Sequence, residues 1–93
     1  MIKIVARFVV KEDLVDKATK IALELVEKSR AEAGNVEYSF NRCLNEQNVY
    51  AMLEIWRDRE ALDSHNASEH FTTLLPQFGE CLVEEKVELF EEV

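Results

Sequence analysis

The chain has 93 residues, one domain's worth, of which 47% are hydrophobic and 32% charged. Its net charge of −8, with Glu84, Glu85, Glu88, Glu91 and Glu92 crowded near the end, makes nucleic acid and anionic membrane poor partners. A domain this small buries only roughly 60% of the surface its unfolded chain exposes, and two cysteines are too few for a disulfide scaffold, so a second copy is the expected source of further burial.

Ile2 to Val10 is β-branched and aromatic and reads as a strand. Ile2, Ile4, Ala6, Phe8 and Val10 line one face; Val5 and Val9 sit on the other, interrupted by Lys3 and Arg7. A helix follows over roughly Asp13 to Ala33, with Leu14, Ala18, Ile21, Ala22, Leu25, Val26 and Ser29 at three- and four-residue spacing. Gly34 and Asn35 give it a natural stop, since both tolerate positive φ.

Val36 to Leu44 alternates, with Val36, Tyr38 and Phe40 against Glu37, Ser39 and Asn41. The polar stretch Asn45 to Asn48 fits a hairpin loop, and Val49 to Arg57 is its second arm. The odd positions of that arm, Val49, Ala51, Leu53 and Ile55, are apolar; the even ones are Tyr50, Met52, Glu54 and Trp56. Asp58 can cap a short helix through Ser64. Ser68 can cap a second through about Phe78, with Pro76 predicting a kink or an early end. Leu82 to Phe90 is the last strand, and its glutamates suit a solvated edge that discourages pairing with other sheets.

The order strand, helix, strand, strand, helix, strand predicts a single α+β domain over residues 1–93 of the ferredoxin-like βαββαβ type. Right-handed crossovers place both helical segments on one face of a four-stranded antiparallel sheet in the order 4-1-3-2. The opposite face carries apolar residues too, and a homodimer related by a two-fold axis is the simplest cover. Cys43 and Cys81 fall towards opposite edges of such a sheet, beyond the roughly 7 Å that a bridge tolerates. The apolar stretches are too short to span a bilayer, and no signal-peptide pattern opens the chain, so a cytoplasmic protein with reduced thiols is expected.

Glu54 and Trp56 share a strand face with Tyr50 and Met52. They read either as a pocket wall with a proton-transfer carboxylate, or as a core Trp beside a Glu that pairs with Arg7 or Arg42. His65, where a short helix ends, offers an imidazole able to take a proton from an acidic hydroxyl; the alternative is a helix-end residue bonded to free carbonyls. His70 begins the next helix. Two histidines five apart, on different helices and with no evident third ligand, make a weak metal site. With no Gly-rich phosphate loop either, neither metal nor flavin is expected.

Gly34 to Leu75 resembles the antibiotic-biosynthesis-monooxygenase family in a Gly-Asn-x-x-Tyr entry to the second strand (Gly34, Asn35, Tyr38), then Glu54-x-Trp56, then Glu60-Ala61-Leu62, His65, Ser68 and His70-Phe71. The resemblance implies a dimeric α+β barrel with a pocket between helices and sheet, and cofactor-independent oxygenation of quinols or aromatic polyketides in some members. Other members are isomerases, decarboxylases or haem-degrading enzymes. The haem-degrading relatives use an Asn, a Trp and a His where this chain has Arg7, His65 and Leu75, which points away from haem.

The expectation is a small monooxygenase acting without cofactor on a hydroxylated aromatic or quinol. His65 would be the base, with Glu54 or an Arg orienting it, and Trp56, Tyr50, Met52, Phe71, His70 and Arg42 would contact substrate. Two alternatives stay open: an isomerase or other non-oxidative enzyme on a small carbonyl compound, and a non-catalytic dimeric binding module.

Overall fold

A computed structural model describes all 93 residues. Its elements are β1 (Ile2–Val10), α1 (Val15–Arg30), β2 (Asn35–Arg42), β3 (Val49–Trp56), α2 (Arg59–Asn66), α3 (Glu69–Gly79) and β4 (Leu82–Glu91), with a single 3-10 turn at Glu12–Leu14 before α1. The four strands form one antiparallel sheet in the order β2-β3-β1-β4, the ferredoxin-like arrangement that the alternation of elements predicts. No helix is long and apolar enough to cross a membrane.

The register follows from the period-two pattern. Ile4 pairs with Glu54, Ala6 with Met52 and Phe8 with Tyr50, so the even residues of β1 and β3 share the helix side of the sheet. Ile4, Ala6, Phe8 and Val10 are buried there. Above them α1 lays down Ala18, Ile21, Ala22, Leu25 and Val26, and α3 adds Leu74 and Phe78. The Phe8 and Phe78 rings meet edge to face at 4.9 Å.

Both helix starts are capped as the sequence predicts. Asp58 accepts from the Ala61 N–H at 2.8 Å, and Ser68 accepts from the Phe71 N–H at 3.3 Å. Other expectations shift. Pro76 does not end α3, which runs on to Gly79; the Thr72 carbonyl that Pro76 leaves without its helical partner belongs to an exposed residue, where water can replace the bond. Gly34 has no positive φ. A Cβ there would come within 2.3 Å of the Ala61 Cβ, so the glycine serves a close approach of the α1–β2 turn to α2 rather than a left-handed stop. Asn48, in the hairpin, is the residue with φ of 63°. A register shift between Asn35 and Glu37 leaves Val36 out of the ladder, which is why it is 52% exposed despite its apolar parity.

Two surfaces stay uncovered. On the face opposite the helices, Val5, Leu53 and Phe90 are exposed, with Val5 opposite Leu53 in the ladder. Along the edge strand β4, Val87 and Leu89 point to the helix side, opposite Ala6 and Ile4, yet remain 53% and 49% exposed. The two cysteines are free.

Candidate functional site

The uncovered edge of β4 opens onto a cavity of about 240 Å3. Its floor is Ile4, Ala6 and Phe8 of β1 with Met52 and Glu54 of β3; its roof is Leu62 and His65 of α2 with Phe71 and Leu75 of α3. Tyr38 closes it on the β2 side, and Glu85, Val87 and Leu89 of β4 form the exposed rim. A small, mostly apolar hollow with a few converging polar groups is the ordinary form of a small-molecule site.

Three of those polar groups are buried. Glu54 is 8% exposed and accepts from Trp56 Nε1 at 2.9 Å. No cation pairs with it: Arg7 lies on the opposite face of β1 and reaches Glu46 instead, at 3.3 Å, and Arg42 is exposed. Burial pushes the Glu54 carboxyl up to about 7, against the lowering effect of the Trp56 hydrogen bond and with a small addition from the Glu32 carboxylate. Tyr38, opposite Glu54 in the ladder, donates its hydroxyl to Met52 Sδ at 3.4 Å. Burial first, and then the Glu54 carboxylate, hold the phenol far above its ordinary range, so it stays a neutral hydroxyl.

The third group is His65, at 1% exposure. Its ring lies 4.4 Å from that of Trp56 and 4.8 Å from that of Phe71. Its Nδ1 meets Glu32 Oε2 at 2.7 Å, while its Nε2 is buried with no hydrogen-bond partner. Burial pushes the imidazole below its usual pKa and outweighs the opposing pull of Glu32. At neutral pH the ring is therefore uncharged, as a base must be before it acts.

Of the residues singled out in the sequence, the cavity brings together His65, Glu54, Met52 and Phe71. It does not include Trp56, Tyr50, His70 or Arg42. Trp56 is wholly buried behind the wall, against His65 and Glu54. Tyr50 stacks on Phe40 at 5.1 Å, and with Arg42 borders a separate shallow groove at the hairpin. His70 sits outside the cavity with its Nε2 on Glu32 Oε2 at 2.8 Å. The carboxylate that holds His65 is thus Glu32, neither Glu54 nor an arginine.

Glu54 gives the site a stability signature. A carboxyl whose folded pKa of about 7 lies above its ordinary 4.5 binds more protons folded than unfolded between those values. Its contribution is present below pH 4.5 and is lost as pH rises through 7, a loss of about 3 kcal/mol at most. Glu54→Gln keeps an acceptor for Trp56 and removes the titration. Urea unfolding across pH 5 to 8 is expected to show the variant gaining on the parent as pH rises; parallel curves would mean that Glu54 does not titrate in this range.

A sequence profile described as "Antibiotic biosynthesis monooxygenase" matches residues 1–76. A Bacillus subtilis protein named "Putative monooxygenase YcnE" is 35% identical over 82 residues, spanning 88% of this chain and 86% of its own. Among solved structures, one titled an antibiotic biosynthesis monooxygenase superposes with a TM-score of 0.93 at 33% identity, covering 100% of this chain and 99% of its own. A conserved protein of Methanosarcina mazei superposes with a TM-score of 0.96 at 30% identity, over 99% and 92% of the two chains.

Proposed function

The chain belongs to the antibiotic biosynthesis monooxygenase family, and on that premise we propose that it is a small cofactor-independent monooxygenase of a hydroxylated aromatic or quinol, working as a homodimer. The observation that carries this reading is the buried, uncharged His65, with its Nε2 unpartnered, in the roof of an apolar cavity. At about 240 Å3 the cavity is below the roughly 300–1,000 Å3 of drug-sized sites, which suits a substrate of one or two rings.

In this reading His65 takes the phenolic proton at Nε2, and the substrate anion, held among Met52, Phe71 and Leu62, passes electrons to dioxygen. One oxygen atom ends as a new ring carbonyl. The other leaves as water with the two hydrogens that the substrate loses, one from the hydroxyl and one from the ring carbon. Phenol plus dioxygen gives quinone plus water, so no outside reductant enters. Glu54, near its midpoint at neutral pH, is placed to exchange the second proton.

A second reading, isomerisation of a small carbonyl compound, is favoured by the same pair of groups, because two proton carriers in one cavity also suit enolisation. Oxygen uptake against a panel of quinols and phenols separates the two. The monooxygenase reading expects uptake in step with product; product formed at an unchanged rate without oxygen would contradict it.

The homodimer rests on the bare sheet face and the bare rim of β4, where Val5, Leu53, Phe90, Val87 and Leu89 would otherwise face water. Light scattering at micromolar concentration is expected to give twice the 10.8 kDa of one chain. A folded species of single-chain mass would contradict it.

A further inference from the structure

We propose that Glu32 and His70 are positioning residues for the base, holding His65 as its Nδ1–H tautomer so that the Nε2 lone pair is left for the substrate's proton. The role as base rests on the function proposed above; the tautomer does not.

Three separate elements meet to form this contact. Glu32 stands in the turn between α1 and β2, His65 in the last turn of α2, and His70 in the first turn of α3. A single oxygen, Glu32 Oε2, lies 2.7 Å from His65 Nδ1 and 2.8 Å from His70 Nε2. An ionised carboxylate only accepts, so each ring nitrogen facing it must carry a proton. A neutral imidazole has one N–H. With that proton on Nδ1 of His65, Nε2 is bare, and Nε2 is the buried atom with no partner.

The opposite tautomer fails twice. It would set a Nδ1 lone pair against the Glu32 oxygen and bury an N–H on Nε2 with nothing to accept it. His70 donates to the same oxygen from the solvent side, where it is 17% exposed, and so fixes the direction in which the carboxylate points. Ser68 steadies the corner between the helices, with its hydroxyl donating to the His65 carbonyl at 2.7 Å.

The same three ligand atoms lie within 4.8 Å of one another, and two histidines with a carboxylate can bind a transition metal. The geometry favours the proton clamp. A metal on Nδ1 would drive the His65 proton to Nε2, where it finds no acceptor, whereas a metal-bound histidine normally donates its other N–H to a partner.

The test is long-range proton–nitrogen NMR of the two imidazoles in the full chain. In the parent, His65 is expected to carry its proton on Nδ1. Glu32→Gln keeps an accepting oxygen and should keep that tautomer; Glu32→Ala removes the acceptor at Nδ1 and should weaken the Nδ1 proton signal to a mixture of tautomers; His70→Phe should give a smaller shift in the same direction. Turnover by Glu32→Ala should fall by at least about 10-fold, the low end of the cost where a partner orienting a metal-bound imidazole is lost, and recover in part in Glu32→Gln. A merely structural clasp would leave the tautomer of a still-folded Glu32→Ala unchanged. That result, or an Nε2–H tautomer in the parent, overturns the proposal. So does one-to-one Zn2+ binding by the parent that both Glu32→Ala and His70→Phe abolish. If the tautomer follows Glu32 while His65→Gln turns over normally, the clamp stands and the assignment of His65 as base is what fails.

Discussion

His65→Gln is expected to lower turnover by about 10²–10⁴-fold, the usual scale for a general base, while the chain still folds. Gln is the informative replacement. His65 is packed at 1% exposure against Trp56 and Phe71, so Ala would open a void and mix a structural cost with a chemical one. The Gln side chain fills most of the space. What it lacks is a nitrogen that takes a proton near neutral pH. Circular dichroism and a thermal melt establish that the variant is folded, and kcat then reads the chemistry. Unchanged kcat with a lowered melting temperature would make His65 a structural residue and leave Glu54 as the proton carrier of the cavity.

Trp56→Ala is expected to cost about 3–5 kcal/mol of stability, the range for removing a large aromatic from a core. The sequence leaves two readings of Trp56: a pocket wall, whose loss would affect ligand binding more than the fold, and a core residue beside Glu54. Its position favours the second. The indole is wholly buried, 4.4 Å from the His65 ring and 6.2 Å from the Tyr38 ring, and does not line the cavity. Its Nε1 is the donor that Glu54 accepts from, so truncation also strands a buried carboxyl. Small domains have only about 5–15 kcal/mol in total, so the loss is a large share of stability. Urea unfolding measures it. A variant with the parent's midpoint and no ligand binding would restore the pocket reading.

The fold was legible because its signals are local. The alternation in Ile2–Val10 and Val49–Trp56 fixes which residues face the helices, and Asp58 and Ser68 mark helix starts through a hydrogen bond three residues on. Parity, however, specifies a face and not an end. Tyr50 shares the face of Glu54 but stands four residues along β3, roughly 13 Å away at 3.3 Å per residue, and so stacks on Phe40 at the hairpin end. His65 and Glu54, which both line the cavity, were legible as candidates because each sits within nine residues of Trp56 in a short motif. Glu32 was not. It lies in a turn, 33 positions before His65, and only the tertiary approach of that turn to the α2–α3 corner brings the two together. Gly34 marks this approach, since it has no room for a side chain against Ala61. Seen alone in the sequence, it looks like any helix stop.

In the proposed reaction the substrate alone supplies the electrons with which this chain reduces dioxygen. Turnover of a quinol that the protein oxidises, under 18O2 with metal- and flavin-free protein, tests it most directly. The expected result is one labelled atom in the product, one in water, and one dioxygen consumed per product. Product free of label with no oxygen consumed, or label that appears only after a flavin or metal is added, would contradict it.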